Sequence, residues 1–271
     1  GMGILFPFAA SETEKDQMMS SVAPFWDGNE TWLILGGGGL LVAFPLAYSI
    51  VMPALYLPVI FMLLALGFRG VAFVQGIKVE NNAFAGGPLD WLTPFALLCG
   101  VGVVAGYALI GCVWLVMKTD GAAAARARAR AKLLLPAVLV FMGIVSLWTP
   151  IAFPRIAERW FTTPNLFYLA PVPLLTLVLA YAVWRWLEKG HDNLPFFGVI
   201  GLFLLGYVGI GVSIFPYLVP PSLTVWETAA APASQVFMLI GTIFMLPVIL
   251  GYIAFVYWLF RGKVREGEGY H

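Results

Sequence analysis

Long apolar stretches separated by short polar segments form the dominant pattern of this sequence. Seven of them reach the roughly 20 residues needed to cross about 30 Å of hydrocarbon. Their approximate bounds are 28–51, 53–73, 91–117, 133–153, 166–187, 194–218 and 235–260. Because backbone groups in lipid must be hydrogen-bonded within the segment, spans of this length are predicted to be helices. The pattern predicts an all-α, polytopic transmembrane helical bundle, with residues 1–271 as a single integral membrane domain.

The composition agrees with a membrane location. Hydrophobic residues make up 61% of the 271 residues and charged residues 11%, whereas a soluble domain carries about 25% charged residues. The formal net charge is only +1. A nucleic-acid partner is therefore not predicted.

The placement of basic residues predicts the orientation of the chain. Lys and Arg are enriched in cytoplasmic loops, and they cluster in two places here, the loop 118–132 and the C-terminal tail that holds Arg261, Lys263 and Arg265. Both are predicted inside, so the C-terminus is predicted to be cytoplasmic. The alternating Ala/Arg stretch 122–132 is interpreted as a solvated inner loop running into a helix, with anionic lipid as an added contact. Arg155 and Arg159, on the outer side, are the exception.

The predicted spans contain little that could hold a cofactor. Haem iron is usually bound by His, Met, Cys or Tyr, but the two histidines, His191 and His271, lie outside the spans. Methionines in the spans are interpreted as packing residues, and Cys99 and Cys112 as small buried apolar side chains. No metal or haem is predicted to bind this chain alone. The run 36–39 of four glycines is predicted to allow close helix packing.

The stretch PFWDGNETW, which begins at Pro24, places two carboxylates and two indoles at the start of an apolar segment. Asp27 followed by Glu30 fits a helix capping box, and Trp26 and Trp32 suit the level of the lipid headgroups. Ionisable residues at membrane depth are also candidates for function. The residues alone leave both interpretations open.

Four stretches resemble subunit II of the cytochrome bd type quinol oxidases, including the cyanide-insensitive branch. They are PFWDGNETWLILGGGGLLVAFPLAYS from Pro24, VQGIKVENNAFAGGPLDWLTPFALLCG from Val74, GYALIGCVWLVMKTDG from Gly106 and FPYLVPPSLTVWETAAAPASQVFMLIGT from Phe215. The resemblance covers nearly the whole chain in the family's order. Family members have a further helix at the start and another between the positions of Phe73 and Val74, so about seven of about nine spans are expected, with a sequence gap between 73 and 74.

The resemblance implies a haem-free subunit that is not catalytic alone. In this family, a partner subunit I carries haem b, haem d and the quinol-oxidising loop in the bacterial inner membrane. The complex oxidises quinol, reduces dioxygen to water with protons from the cytoplasm and so generates a proton-motive force. Small single-helix accessory subunits, membrane lipid and quinone are further expected partners.

The resemblance also implies roles for individual residues. Asp27 matches the family carboxylate assigned to proton delivery, Asn29 and Glu30 would extend the proton path, and Trp32 would border a dioxygen route. Asp90 and Glu227 are interpreted as structural polar anchors or helix caps. Two other functions are considered, a small-molecule membrane transporter and a purely structural membrane subunit in which Asp27 is only a cap.

Overall fold

The computed structural model describes residues 1–22, 25–54, 79–87 and 92–264; for residues 26–34, 54 and 84 it describes the backbone alone. The protein is predominantly helical, which confirms the predicted all-α polytopic class. In the described ranges, five helical stretches are long and apolar enough to cross a membrane: Pro94–Lys118, Gly121–Ala152, Asn165–Glu188, Leu194–Ile214 and Pro232–Leu259. The predicted span 53–73 and the junction of 73 with 74 lie mostly outside the described residues, so the total of seven spans stays a prediction.

The described helices and strands follow one another in this order. The first part contains α1 (Met2–Leu5), a 3-10 turn (Phe6–Phe8), α2 (Glu12–Val22), α3 (Trp26–Ala43), α4 (Pro45–Ala54), β1 (Val79–Glu80) and β2 (Ala83–Phe84). The middle part contains α5 (Pro94–Lys118), α6 (Gly121–Ala152), α7 (Pro154–Phe161), α8 (Asn165–Leu169), α9 (Pro171–Glu188) and α10 (Leu194–Ile214). The last part contains β3 (Tyr217–Val219), β4 (Leu223–Thr224), α11 (Val225–Thr228) and α12 (Pro232–Leu259).

These elements form two compact units. The first consists of Gly1–Ser21, Pro94–Ile214 and Lys263–His271, and the second of Val22–Thr93 and Phe215–Gly262. The prediction of one membrane domain is not decided by this division.

The core of the first unit lies where α5 ends, α6 begins, α9 ends and α10 begins. Its fully buried side chains come from these four helix ends: Leu109, Cys112, Val113, Val116, Ala131, Leu135, Val183, Leu187, Val199 and Leu202. Close approach depends on glycine, because a Cβ on Gly198 would lie 2.5 Å from Cγ2 of Val183. Small residues let membrane helices pack in this way.

Helix α6 begins earlier than the sequence analysis predicts. The predicted loop 118–132 is wrong, because only Thr119 and Asp120 separate α5 from α6, and Gly121 makes the turn with a φ of 57°. Alanine has the highest helix propensity, and it alternates with arginine here. With 32 residues, α6 is about 48 Å long at 1.5 Å per residue. It exceeds the hydrocarbon thickness of about 30 Å.

The short amphipathic helix α7 gives Arg159, one of the two exceptions to the charge pattern, a structural role. A guanidinium nitrogen of Arg159, Nη1, donates to the Val212 carbonyl at 3.2 Å, and Trp160 Nε1 donates to Ser213 Oγ at 2.9 Å. The last carbonyls of a helix have no partner within it and carry partial negative charge. Arg159 satisfies one of them at the end of α10, so it has a structural use at this position.

In the second unit, the predicted single span 28–51 is divided into α3 and α4. Pro45 lacks a backbone N–H, and Phe44 before it leaves the helical conformation with a φ of −136° and a ψ of 62°. The α4 side chains Ala47, Ile50 and Val51 form a buried cluster with Val219 and Leu223 of the β3–β4 hairpin.

A tight turn of two asparagines joins β1 to β2 in the second unit. Asn81 and Asn82 turn the β1–β2 hairpin with φ values of 50° and 60°, which asparagine tolerates better than most residues.

The prediction of close packing at Gly36–Gly39 is not met within the described part of the chain. A Cβ on any of these four glycines would have no described atom within 4 Å.

Candidate functional site

The residues of the WDGNETW motif form the first two turns of α3. The helix begins at Trp26 with Phe25 at the N-cap position, so the interpretation of Asp27 as the N-cap is wrong. Asp27 is the second residue of the helix, and Asn29, Glu30 and Trp32 follow within two turns. The side chains of these residues lie outside the part of the chain that the structure describes. Carboxylates in a first turn are stabilised by the positive end of the helix dipole.

Phe25 fixes the start of α3 against the end of α12. Its side chain is 7% exposed. Its ring centroid lies 4.6 Å from that of Tyr257 and 6.2 Å from that of Phe260. Aromatic pairs in this range contribute about 0.5–1.5 kcal/mol beyond the area that they bury. The residue directly before the motif is therefore anchored in a tight aromatic cluster.

A backbone hydrogen bond ties the other end of α3 to the chain just before α12. The amide of Ala230 donates to the carbonyl of Ala43 at 2.8 Å. Together with the Phe25 cluster, this makes α3 and α12 antiparallel neighbours. The motif therefore lies at the end of α12 that leads into Arg261, whose guanidinium is 5.0 Å from the Trp258 ring.

Glu227 lies in α11 of the second unit, away from the WDGNETW motif. Thr224 and Glu227 form a capping box at the start of α11, in which the Thr224 amide donates to Glu227 Oε2 at 2.7 Å and the Glu227 amide donates to Thr224 Oγ1 at 3.3 Å. The hydrogen bonds that the Thr224 amide and the Thr224 hydroxyl donate to Glu227 Oε2 lower the pKa of Glu227 below its usual value. Because α12 has 28 residues, or about 42 Å of helix, Glu227 is far from the motif. Asp90 lies outside the described residues.

The first unit contains a polar group that the sequence analysis missed, here called the arginine cluster and defined by Arg126, Arg128 and Arg130 of α6 with their partners. Arg126 binds both carboxylate oxygens of Glu14, Nε to Oε1 at 3.1 Å and Nη2 to Oε2 at 2.9 Å. Arg130 donates to the Phe8 carbonyl. The interpretation of these arginines as a solvated loop is therefore wrong, since they fasten the N-terminal segment to α6.

Asp192 joins the third arginine to the C-terminal segment. Its Oδ1 accepts from Arg128 at 2.6 Å and its Oδ2 from Lys263 at 2.7 Å. Next to Lys263, the Val264 amide donates to the Lys118 carbonyl at 2.7 Å. The carboxylate thus links α6, the α9–α10 loop and the chain that follows α12.

The two carboxylates of the arginine cluster are held in their charged form. Burial raises the pKa of Glu14, but the hydrogen bonds from Arg126 and Ala10 and the charges of Arg126 and Arg130 outweigh it, so the pKa lies below its usual value. Burial likewise raises the pKa of Asp192, but the contacts with Lys263 and Arg128 outweigh it, and this pKa is also lowered. Both groups are therefore anions near neutral pH and act as fixed counter-charges to the arginines.

We expect Asp192→Asn to release the C-terminal segment more often. The neutral amide loses two charge-assisted contacts at a half-exposed site, for which we expect about 1 kcal/mol. This corresponds to roughly a fivefold increase in the released population. The measurement is the rate of trypsin cleavage after Lys263 in the solubilised protein. The control is Glu188→Gln, since the exposed Glu188 pairs with Arg185 on its own helix. Equal cleavage rates in the two variants would contradict the contact.

Possible metal ligands are dispersed in the part of the chain that the structure describes. There, no three His, Cys, Asp or Glu side chains are grouped so that they could hold a metal ion. His191 lies in the α9–α10 loop, where its carbonyl accepts from Arg128 at 2.8 Å. The absence of a bound haem stays a prediction.

Long apolar helices with short polar connections define this chain as a polytopic, helical integral membrane protein. Its family is also clear: the model of the family described as cytochrome bd terminal oxidase subunit II matches residues 1–74 and 72–260, and the chain belongs to that family. The resemblance inferred from the sequence is thereby confirmed. The two matched segments meet at the junction where an internal family helix is predicted to be absent, and that absence stays a prediction.

Relatives from several bacteria match almost the whole chain. The cytochrome bd-I ubiquinol oxidase subunit 2 of Escherichia coli K12 is 25% identical over 350 aligned positions, which cover 99% of this chain and 90% of the relative. The cytochrome bd ubiquinol oxidase subunit 2 of Bacillus subtilis 168 is 28% identical over 318 positions, covering 99% and 91%. A probable cytochrome oxidase subunit 2 of Haemophilus influenzae is 23% identical over 340 positions, covering 97% and 89%.

Proposed function

We propose that this chain is the haem-free subunit II of a terminal quinol:dioxygen oxidoreductase. It pairs with a haem-bearing subunit I in the bacterial inner membrane and is not catalytic alone. Haem b and haem d reside in subunit I, quinol is the substrate of the complex, and single-helix accessory subunits, lipid and quinone complete its surroundings. Family membership and the similarity to subunit 2 of two bacterial ubiquinol oxidases support this proposal.

We further propose that Asp27, with Asn29 and Glu30, delivers protons from the cytoplasmic side. The supporting observation is the contact of Phe25 with Tyr257 and Phe260, which places the start of α3 at the end of α12. This end leads into the basic tail, which the placement of Lys and Arg assigns to the cytoplasm. Protons consumed when dioxygen is reduced would then enter from the side where Asp27 begins its helix.

Asp27 suits this task chemically. A carboxyl group can take up and release a proton, and an ionisable residue at the start of an apolar span is a candidate for proton transfer. Asn29 and Glu30 supply further hydrogen-bonding groups within one helical turn of it, and a proton can pass along such groups. Trp32, a mostly apolar side chain, would border the route of the neutral dioxygen molecule.

The assignment to a haem-bearing complex is tested by purification through a tag on this chain from its native membrane. We expect the absorption bands of haem b and haem d to co-purify and to be lost when the larger partner is stripped away. Purification of this chain without a partner or haem bands, or haem that remains on the stripped chain, would overturn the proposal. Proton flux across liposomes that contain this chain alone would favour the transporter instead.

A further inference from the structure

The connection between α6 and α9 presents an exposed aromatic surface, here called the aromatic shelf and defined by Phe161, Phe167 and Tyr168. Phe161 is the last residue of α7, and the other two lie in α8. The three side chains are 62%, 72% and 76% exposed, respectively. Large aromatic side chains grouped at such exposure on a surface indicate a site of association.

The opposite side of α7 is fixed to the protein. Ile156 is buried, and Arg159 and Trp160 bind the Val212 carbonyl and the Ser213 hydroxyl at the end of α10. Ser213 Oγ in turn donates to the Gly209 carbonyl at 2.8 Å. The aromatic shelf is thus held by a rigid amphipathic element with its polar contacts on one side.

The position of the aromatic shelf along the chain sets its depth in the membrane. It follows the candidate span Gly121–Ala152 and overlaps the beginning of the candidate span Asn165–Glu188. Beyond it, the exposed surface continues along α9 through Leu174, Leu175, Leu177 and Val178. The shelf therefore lies between two candidate spans, close in sequence to exposed apolar side chains of α9, at the level where these spans reach the membrane surface.

We propose that the aromatic shelf docks into the headgroup and glycerol layer of the lipid bilayer, on the face opposite the arginine cluster. Tyr and Trp are enriched at this level of a membrane, which suits Tyr168, and the apolar rings of Phe161 and Phe167 suit the boundary with the acyl chains. Short amphipathic helices lie in the interface plane with their apolar side in the acyl boundary. The shelf would fix the depth of the α6–α9 connection and, through Arg159 and Trp160, the depth of the end of α10.

The test is photo-crosslinking in native membranes, with the complete protein complex and p-benzoylphenylalanine in place of Phe167. We expect phospholipid adducts to outnumber polypeptide adducts, with the attachment mapped by mass spectrometry to the glycerol or the upper acyl carbons. The same probe in place of Leu177, 65% exposed in the middle of its span, should attach deeper along the acyl chain. A probe in place of Lys189, in the exposed loop after α9, should give few lipid adducts.

Each outcome decides the proposal. Adducts mainly to a polypeptide would show that a partner protein covers the shelf, and an adduct yield as low as at residue 189 would show that it faces water. Either result would overturn lipid docking. Because Phe167 is exposed and the probe is also aromatic, correct folding is expected, and it is checked by unchanged co-purification with partner subunits.

Discussion

Asp27→Asn is expected to lower quinol-dependent dioxygen consumption by about a hundredfold, at the lower end of the range for a positioned acid–base group. Asparagine has nearly the same shape and still forms hydrogen bonds, but it cannot take up and release a proton at neutral pH. If Asp27 is the proton donor on the cytoplasmic side, electron entry remains possible while the protonation of reduced oxygen becomes slow. The measurement is dioxygen uptake by the purified complex with excess reduced quinol.

The matched control is Glu227→Gln in the same unit. Glutamine also serves at the third position of a capping box, and Glu227 lies at the far end of α12 from the motif. We therefore expect nearly unchanged turnover in this variant. Both variants must show the haem absorption of the unaltered complex, so that assembly is not the variable. Full turnover and unaltered proton release in Asp27→Asn would leave Asp27 without a proton role.

Arg126→Ala is expected to destabilise the first unit by about 2–3 kcal/mol. Glu14 is 4% exposed, and without Arg126 its charge would stay buried without its bidentate partner. Breaking a fully buried pair costs about 3–5 kcal/mol. We expect less here because the Arg126 side chain is 38% exposed and solvent screens part of the interaction. The measurement is the free energy of unfolding in detergent micelles.

Two comparisons separate this effect from a general loss of an arginine. Arg185→Ala removes an exposed pair with Glu188 and should cost no more than about 0.5 kcal/mol. Adding Glu14→Gln to Arg126→Ala should recover part of the loss, because no charge is then buried. Equal destabilisation by Arg126→Ala and Arg185→Ala would argue against a special role of the buried pair.

The same pair gives a defined pH dependence. The folded-state pKa of Glu14 is lowered below its usual value, so the stabilisation is complete above the pKa of the unfolded state and is lost as the pH falls through the folded value. The difference in stability between the unaltered protein and Arg126→Ala should therefore shrink once the pH falls below the unfolded-state pKa of a glutamate. It should stay constant between neutral pH and the unfolded pKa.

The apolar pattern of the sequence predicts the all-α membrane class, but it locates helix ends less well. Hydropathy indicates which residues can lie in the hydrocarbon of the membrane. The end of a helix is instead set by where its backbone hydrogen bonds stop. Residues 121–132 are too polar for lipid and yet helical, since alanine favours the helix and the arginines have partners. The reverse case is the apolar stretch 28–51, which hydropathy predicts as one helix although the structure divides it into two helices at Pro45.

For the candidate site, local reasoning finds the WDGNETW motif but misses the arginine cluster. Arg126 and Glu14 are 112 positions apart, and Arg128 and Asp192 are 64 apart. No local pattern pairs such residues, because only the packing of the helices brings them together. A partial signal was present: Ser11 and Glu14 have capping-box spacing, and the Glu14 amide does donate to Ser11 Oγ at 3.2 Å.

The hydrogen bond from Arg159 to the Val212 carbonyl has a consequence for biosynthesis. The ribosome makes Arg159 well before it makes Val212, which is 53 positions later. When α7 first leaves the translocation machinery, the carbonyl that will receive its guanidinium has not yet been inserted. The contact therefore cannot help to orient α6 and α7 when these helices first enter the membrane, and the basic start of α6 is the feature that favours the predicted orientation at that stage.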